Sequence, residues 1–215
     1  MKKLSYAFAF VITFSTGLCD AYSYLLRDGA FSGMQTGNIL KLTIAILETK
    51  NVLKYAMPIL SFIAGIFTAR ALALTKNGSS YCLTLQTLLA VVTFFVPCGE
   101  YGYNVLGNCL LSVACAVVFE SFGECNGRKY TAVMCTNNLR LFSESLFDFT
   151  FKGKRKTGSA FYLFVIASFA SGCLVGKVLV DAIGTYTVLV LAGVYAVLII
   201  IDLFLRKESC NIRQC

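Results

Sequence analysis

The sequence predicts an all-α fold, a polytopic membrane helix bundle with six spans and two shorter polar helices, built from two sequence-related halves. Three observations lead there. Of 215 residues 57% are hydrophobic and 14% charged, with a mean hydropathy of +0.73. Soluble domains average roughly 45–50% apolar and about 25% charged, so a single buried core cannot hide this surplus. The apolar residues fall into runs of about twenty, the length that crosses about 30 Å of hydrocarbon at ~1.5 Å per helical residue. The basic residues gather between the runs: Lys2 and Lys3, Lys50 and Lys54, Lys152 with Lys154, Arg155 and Lys156, and Arg206 with Lys207. That distribution is the one that sets membrane topology.

The first run, 5–26, resembles a secretory signal, with Lys2 and Lys3 ahead of apolar Leu4 to Phe14 and small residues before Cys19. A lipoprotein cleavage site needs a small residue just before the cysteine, and Leu18 stands there. The segment is read as a retained span. The remaining spans are expected at 55–75, 80–97, 103–122, 159–180 and 186–205. Small residues recur within them, as in Ser61, Ala64 and Gly65 and again in Ser168, Ser171, Gly172 and Gly176, which lets neighbouring backbones approach closely. Two stretches are more polar: 31–49, with Gln35, Asn38 and Lys41, and 129–151, with Asn137, Asn138, Arg140, Glu144 and Asp148. A charge at mid-membrane costs about 2.5–3.5 kcal/mol on insertion scales, so their polar sides line an interior or lie at an interface. Arg140 and Glu144 are spaced to pair along a helix. The Lys152 to Lys156 cluster reads as a topology determinant, and Arg70 and Lys177 as residues that snorkel to headgroups.

The halves match. Shifted by 100 residues, Asp20 meets Glu120, Met34 meets Met134, Thr36 meets Thr136, Asn38 meets Asn138 and Glu48 meets Asp148. Past the basic insertion the shift becomes 107, and Ser61, Phe62, Gly65, Arg70 and Leu72 meet Ser168, Phe169, Gly172, Lys177 and Leu179. Because rare polar positions match as well as common apolar ones, the chain reads as a first membrane repeat over 1–100, a second over 101–207, and a polar tail over 208–215. If all eight segments cross, eleven Lys and Arg lie inside and six outside; if the two polar segments do not, the division is fourteen to five. Both arrangements place both termini in the cytoplasm. An even number of spans per half makes the repeats parallel, and three per half makes them inverted.

The densest polar signal is Gly17-x-x-Asp20-Ala21 followed by Phe31-x-Gly33-Met34-x-Thr36-Gly37-Asn38. Gly33 and Gly37 permit an unwound stretch, and Thr36 and Asn38 offer side-chain oxygens that cap the helix that follows. The second half reads Thr136-Asn137-Asn138, without the glycine. If both polar helices begin inside the membrane, their positive ends converge near the axis relating the halves, beside Asp20 and Glu120. This motif resembles the YoaK family of small bacterial membrane proteins, a family of unknown function, and the resemblance implies a multi-pass protein of the bacterial cytoplasmic membrane. The residues expected to bind substrate are Asp20, Thr36, Gly37, Asn38, Glu120, Thr136 and Asn138. They suit a transporter of a small solute held between two repeats. The same residues also suit a membrane scaffold or partner subunit, in which they only cap and pack helices.

Other classes are disfavoured. The chain has no histidine, which removes the usual proton shuttle, the Ser-His-Asp triad and the common Cys/His zinc sites. Ten cysteines contain no C-x-x-C pair, and most lie within apolar runs, as Cys82, Cys109, Cys115 and Cys173 do, where they act as small hydrophobes. Cys210 and Cys215, in the tail, carry no recognisable motif. A membrane enzyme using a carboxylate with Cys19 or Cys135 lacks a nucleophile and base pair. The net charge of +8 forms no basic face with interleaved aromatics, so nucleic acid is not an expected partner. No metal, cofactor or catalytic residue is expected.

Overall fold

Each apolar run becomes a helix. The computed structural model describes residues 6–153 and 157–211. The basic residues Lys2, Lys3, Lys154, Arg155, Lys156 and Arg213, and the tail cysteine Cys215, lie outside the described residues, as do the side chains of Arg206, Lys207 and Cys210. In chain order the elements are α1 (Tyr6–Leu26), α2 (Gln35–Leu47), α3 (Leu53–Ala73), α4 (Gly78–Phe94), α5 (Tyr101–Ser121), β1 (Glu124–Cys125), β2 (Arg128–Lys129), α6 (Thr136–Lys152), α7 (Thr157–Ile183), a 3-10 turn (Gly184–Tyr186) and α8 (Thr187–Asn211). Among the described residues four stretches are long and apolar enough to cross a membrane: Tyr6–Leu26, Leu53–Ala73, Tyr101–Ser121 and Gly158–Leu203. The last contains α7, the turn and α8, while α4 is apolar but shorter. The outward faces are greasy, with Phe67, Leu88, Leu174, Val178 and Ile200 each more than half exposed, a surface suited to lipid.

Close contacts fix the direction of each helix. Along α1 and α7 the Tyr6 and Phe161 rings pack near one end, Gly17 meets Phe169 in the middle, and Gly176 meets Leu18 and Ala21 beyond it, so the two run parallel. Helix α5 runs the other way: the Phe122 ring packs tilted on Phe8, and Asn108 donates to the Arg27 carbonyl at 2.8 Å. Helix α3 follows α5, with Gly65 against Val113 and Ala116 and Arg70 paired with Glu120. Helices α4 and α8 are antiparallel, joined by Ser80 and Asp202 at one end and by the Phe94 and Tyr186 rings at the other. Among the described residues six helices therefore run between two ends of the bundle. The start of α1 and the described end of α8 share one end.

Helices α2 and α6 do not carry the chain across. Lys41 on α2 donates to the Gly29 carbonyl just after α1 and lies near the Tyr55 ring at the start of α3. Thus α2 leaves and returns at the far end. At the opposite end Tyr162 on α7 donates to the Lys129 carbonyl, and Gly158 abuts Ser145 on α6. Between α5 and α6 sits a hairpin the periodicity did not predict, turning on Asn126 and Gly127 with φ of 49° and 79°, the Asn-Gly pairing that such a turn requires.

The segments 1–100 and 101–207 interleave rather than forming separate bundles. Helix α1 packs most extensively on α7, α5 on α3, and α4 on α8. The expected role of small residues is met at these contacts: a side chain at Gly172 would run into the Phe14 carbonyl, and one at Gly17 into the Phe169 carbonyl. The backbones touch because no Cβ keeps them apart. Arg70 and Lys177 depart from simple snorkelling, since Arg70 Nε lies 3.0 Å from Glu120 and Lys177 pairs with Asp181 one turn on. The pair of Arg140 and Glu144 forms as spaced, at 2.6 Å.

Gly172→Ala should destabilise the protein by about 1–3 kcal/mol through overpacking, whereas Gly193→Ala, with open space around its α-carbon, should not. Thermal unfolding of the two variants in the same detergent checks this.

Candidate functional site

The loops that open α2 and α6 enter the bundle from opposite ends and meet. A Cβ on Gly33 would lie 2.6 Å from Val133 Cγ1, and Thr16, midway along α1, donates to the Ala132 carbonyl at 2.5 Å. Non-helical backbone so deeply placed must be satisfied from within the protein. Two asparagines do this in the same way. Asn38 Oδ1 accepts from the Phe31 amide at 2.9 Å and its Nδ2 donates to the Phe31 carbonyl at 2.7 Å. Asn138 Oδ1 accepts from the Thr131 amide at 2.9 Å and its Nδ2 donates to the Thr131 carbonyl at 2.6 Å. Over residues 31–44 and 131–144 the succession of buried, half-buried and exposed positions is identical.

Asp20 stands where the loops meet. Its carboxylate is buried at 1% exposure, and Oδ1 accepts from the Gly33 amide at 2.7 Å, while Oδ2 has no hydrogen-bond partner among the described residues. The preceding amide, Ser32, donates to Ser23 Oγ at 3.2 Å. Gly33 is small because Asp20 and Val133 close in on it from two sides.

The other expected residues are distributed differently. Glu120 does not face Asp20: it lies five residues beyond Cys115 toward the opposite end, pairs with Arg70, and lines a separate cavity of about 250 Å³ with Lys76, Ser79 and Ser121. Thr36 and Thr136 are exposed, on the outer side of their helices. The expected capping by Thr36 and Asn38 is replaced by another arrangement, in which Met34 and Cys135 occupy the N-cap positions without a side-chain cap. Asn38 and Asn138 serve as struts, because their amides are taken up by the loop backbone and, for Asn38, by Gln35 Oε1 as well.

Gly37 explains the difference between the two triplets. A Cβ there would come within 2.9 Å of the Phe31 ring, which lies across the first turn of α2. In the second half the ring is replaced by Thr131, and Asn137 fills the space and donates to Thr131 Oγ1 at 3.1 Å. The glycine belongs to the aromatic residue, not to the turn.

Arg27, directly after the 5–26 run, is a principal anchor. It is fully buried, and its guanidinium donates to the carbonyls of Thr93, Val96, Pro97 and Tyr103 and to the Tyr22 hydroxyl, at 2.8–3.2 Å. Among the described residues none of these bonds goes to a carboxylate. A side chain at Gly107 would collide with the guanidinium. The one available signal was an arginine directly after an apolar run with no acid at helical spacing before it.

The model of the family described as Protein of unknown function (DUF1275) matches residues 8–201. No curated protein and no solved structure matches the chain.

Gly37→Asn alone should lower stability by about 1–3 kcal/mol through its clash with Phe31. Combined with Phe31→Thr the loss should be smaller than the sum of the single changes by about 1 kcal/mol or more, the sign of direct coupling. A double-mutant cycle of unfolding free energies measures it.

Proposed function

The chain belongs to the DUF1275 family, and from that premise we propose that it is a multi-pass transporter of a small solute, with its site at the meeting of the two loops. The observation that carries the reading is the contact of Gly33 with Val133 beside the buried Asp20 carboxylate. Helices that begin inside a bundle from opposite ends, with their N-termini directed inward, are a recurrent way of building a solute site at the bilayer midplane. In this reading α1, α3, α4, α5, α7 and α8 cross, and α2 and α6 return to the side they came from. The halves are then inverted repeats of three crossings each. Supporting this are the antiparallel course of α1 and α5, the matched contacts of α1 with α7 and α5 with α3, and the shared Asn38 and Asn138 struts. Lys41 and Arg140 join the flanking segments, which corresponds to the division of fourteen basic residues inside and five outside, with both termini cytoplasmic. The bacterial cytoplasmic membrane is the location the YoaK resemblance implies, and the bilayer is the partner.

The site keeps Asp20 as its polar group, framed by the 32–34 and 132–135 backbone, with Asn38 and Asn138 holding that frame. Gly37 packs it, and Thr36, Thr136 and Glu120 stand outside it. An alternative reading, a membrane scaffold, is favoured by one fact: Asp20 already accepts the Gly33 amide, so it closes a loop without any solute.

Reporter tags at Gly29 and Asn51 should fall on the same side of the membrane; opposite sides would show that α2 crosses. In proteoliposomes, stopped-flow light scattering with a panel of small neutral and ammonium solutes should show faster reswelling than empty vesicles for at least one solute. Asp20→Asn should reduce that rate to the empty-vesicle level while Glu120→Gln leaves it unchanged. Reswelling indistinguishable from empty vesicles for every solute, with Asp20→Asn unfolding the protein, would favour the scaffold.

A further inference from the structure

On one flank of Asp20 the fold leaves hydrogen-bonding capacity unused. Helix α5 crosses α1 antiparallel, with Cys115 against Cys19 and Asn108 donating to the Arg27 carbonyl. Ser112 lies between these two contacts on the same face of α5, so it faces α1 near Ser23. Ser23 is already a junction: its hydroxyl donates to the Asp20 carbonyl and accepts the Ser32 amide, both at 3.2 Å. Ser32, Asn108 and Ser112 are wholly buried, and Ser32 Oγ, Asn108 Oδ1 and Ser112 Oγ have no hydrogen-bond partner among the described residues. Neither does Nε of Arg27, one turn beyond Ser23, where a Cβ on Gly107 would lie 2.8 Å from it. Native interiors rarely gather four such groups without something that answers them.

We propose that Ser32, Asn108 and Ser112 form a binding pocket between Asp20 and Arg27 for a small uncharged solute that both donates and accepts hydrogen bonds, an amide of the urea type or a short polyol. The unmatched groups set the first half of that description. Asn108 Oδ1 only accepts, Arg27 Nε only donates, and the two serine hydroxyls do either, so the occupant carries donors and an acceptor together. Charge sets the second half. Asp20 and Arg27 stand on one face of α1, seven residues and about 10.5 Å apart. A cation drawn to the carboxylate therefore also nears a buried guanidinium, and an anion drawn to the guanidinium nears a carboxylate. A neutral dipolar molecule, with N–H or O–H groups toward Asp20 and an oxygen toward Arg27, avoids both penalties in a setting where an unbalanced charge is expensive. The pocket's role in passage rests on the transport reading, whose substrate class it names, whereas binding can be read without any flux.

Two measurements on the full chain separate the pocket from transport. In proteoliposomes, with empty vesicles subtracted, urea or glycerol should cross about tenfold or more faster than methylammonium or formate. Ser112→Val, which trades the hydroxyl for a methyl group, should lower the urea or glycerol flux about tenfold through one lost hydrogen bond. In detergent, Ser112→Cys should be alkylated by iodoacetamide, an uncharged amide, about tenfold or more faster than by iodoacetate, with acetamide slowing the reaction and peptide mass spectrometry locating it. Selective alkylation without flux upholds the pocket and removes its transport role. Flux of methylammonium or formate alone keeps transport and overturns the pocket. Equal alkylation by the two reagents, or none at position 112, as bound water alone would give, overturns it whatever the vesicles show. Ser32→Cys gives the same reading should the variant at 112 fail to fold.

Discussion

Everything at the centre of this bundle depends on satisfying backbone that enters it without being helical. The loops before α2 and α6 carry amides and carbonyls into a region packed on all sides by apolar helices, where an unmatched group costs about 1–3 kcal/mol. A carboxamide is the neutral side chain that presents a donor and an acceptor side by side. Asn38 and Asn138 use both at once, each clamping the N–H and C=O of the residue seven positions earlier. Aspartate at the same place would answer the amide and repel the carbonyl. Leucine would answer neither. The loops can therefore reach Thr16 and Asp20 because these two amides hold them there, and the meeting of Gly33 with Val133 follows from their reach.

The second constraint is the burial of Arg27. A guanidinium taken out of water needs its donors matched and its charge balanced. The terminal nitrogens donate to the carbonyls of Thr93, Val96 and Pro97 at and just beyond the end of α4, to that of Tyr103 in the first turn of α5 and to Tyr22, while Nε has no hydrogen-bond partner among the described residues. The carbonyls at the end of α4 form the negative end of its dipole, so the helix terminus partly supplies the counter-charge that a carboxylate would otherwise provide. The same contact ties α1 to α4 and to the start of α5, and Gly107 is required there because α5 must pass beside the guanidinium. Arg27 thus closes the far end of the bundle, while the glycine contacts of α1 with α7 and of α3 with α5 interlock its middle.

Much of this architecture was legible in the sequence. Long apolar runs announced α1, α3, α5, α7 and α8, since a lipid-facing helix has to be apolar over most of its circumference. The small residues Gly65 and Gly172 announced close backbone contacts. Asn38 and Asn138 were visible as matched polar positions, but spacing along a helix suggests a cap and cannot show a side chain reaching back across a loop. Gly37 looked like a turn glycine because the ring it accommodates is six residues away. Asp20 and Glu120 matched in a gapless shift, yet Glu120 faces α3, where Arg70 offers an ion pair that Asp20 lacks. Arg27 follows an apolar run, where an arginine ordinarily meets water, and nothing in the spacing announces the carbonyls that bury it.

The places where the corresponding loops differ are informative. Phe31 with Gly37 and Thr131 with Asn137 are two solutions to the same packing problem, so that difference leaves the frame unchanged. The difference at Asp20 is of another kind. A second carboxylate at the meeting point would stand close to the first, and like charges in a dry setting cannot both ionise. One carboxylate, by contrast, can hold one cation or one proton, or close one loop, and the frame around it is common to both halves. On the transport reading the loops give the site its position and Asp20 gives it its chemistry.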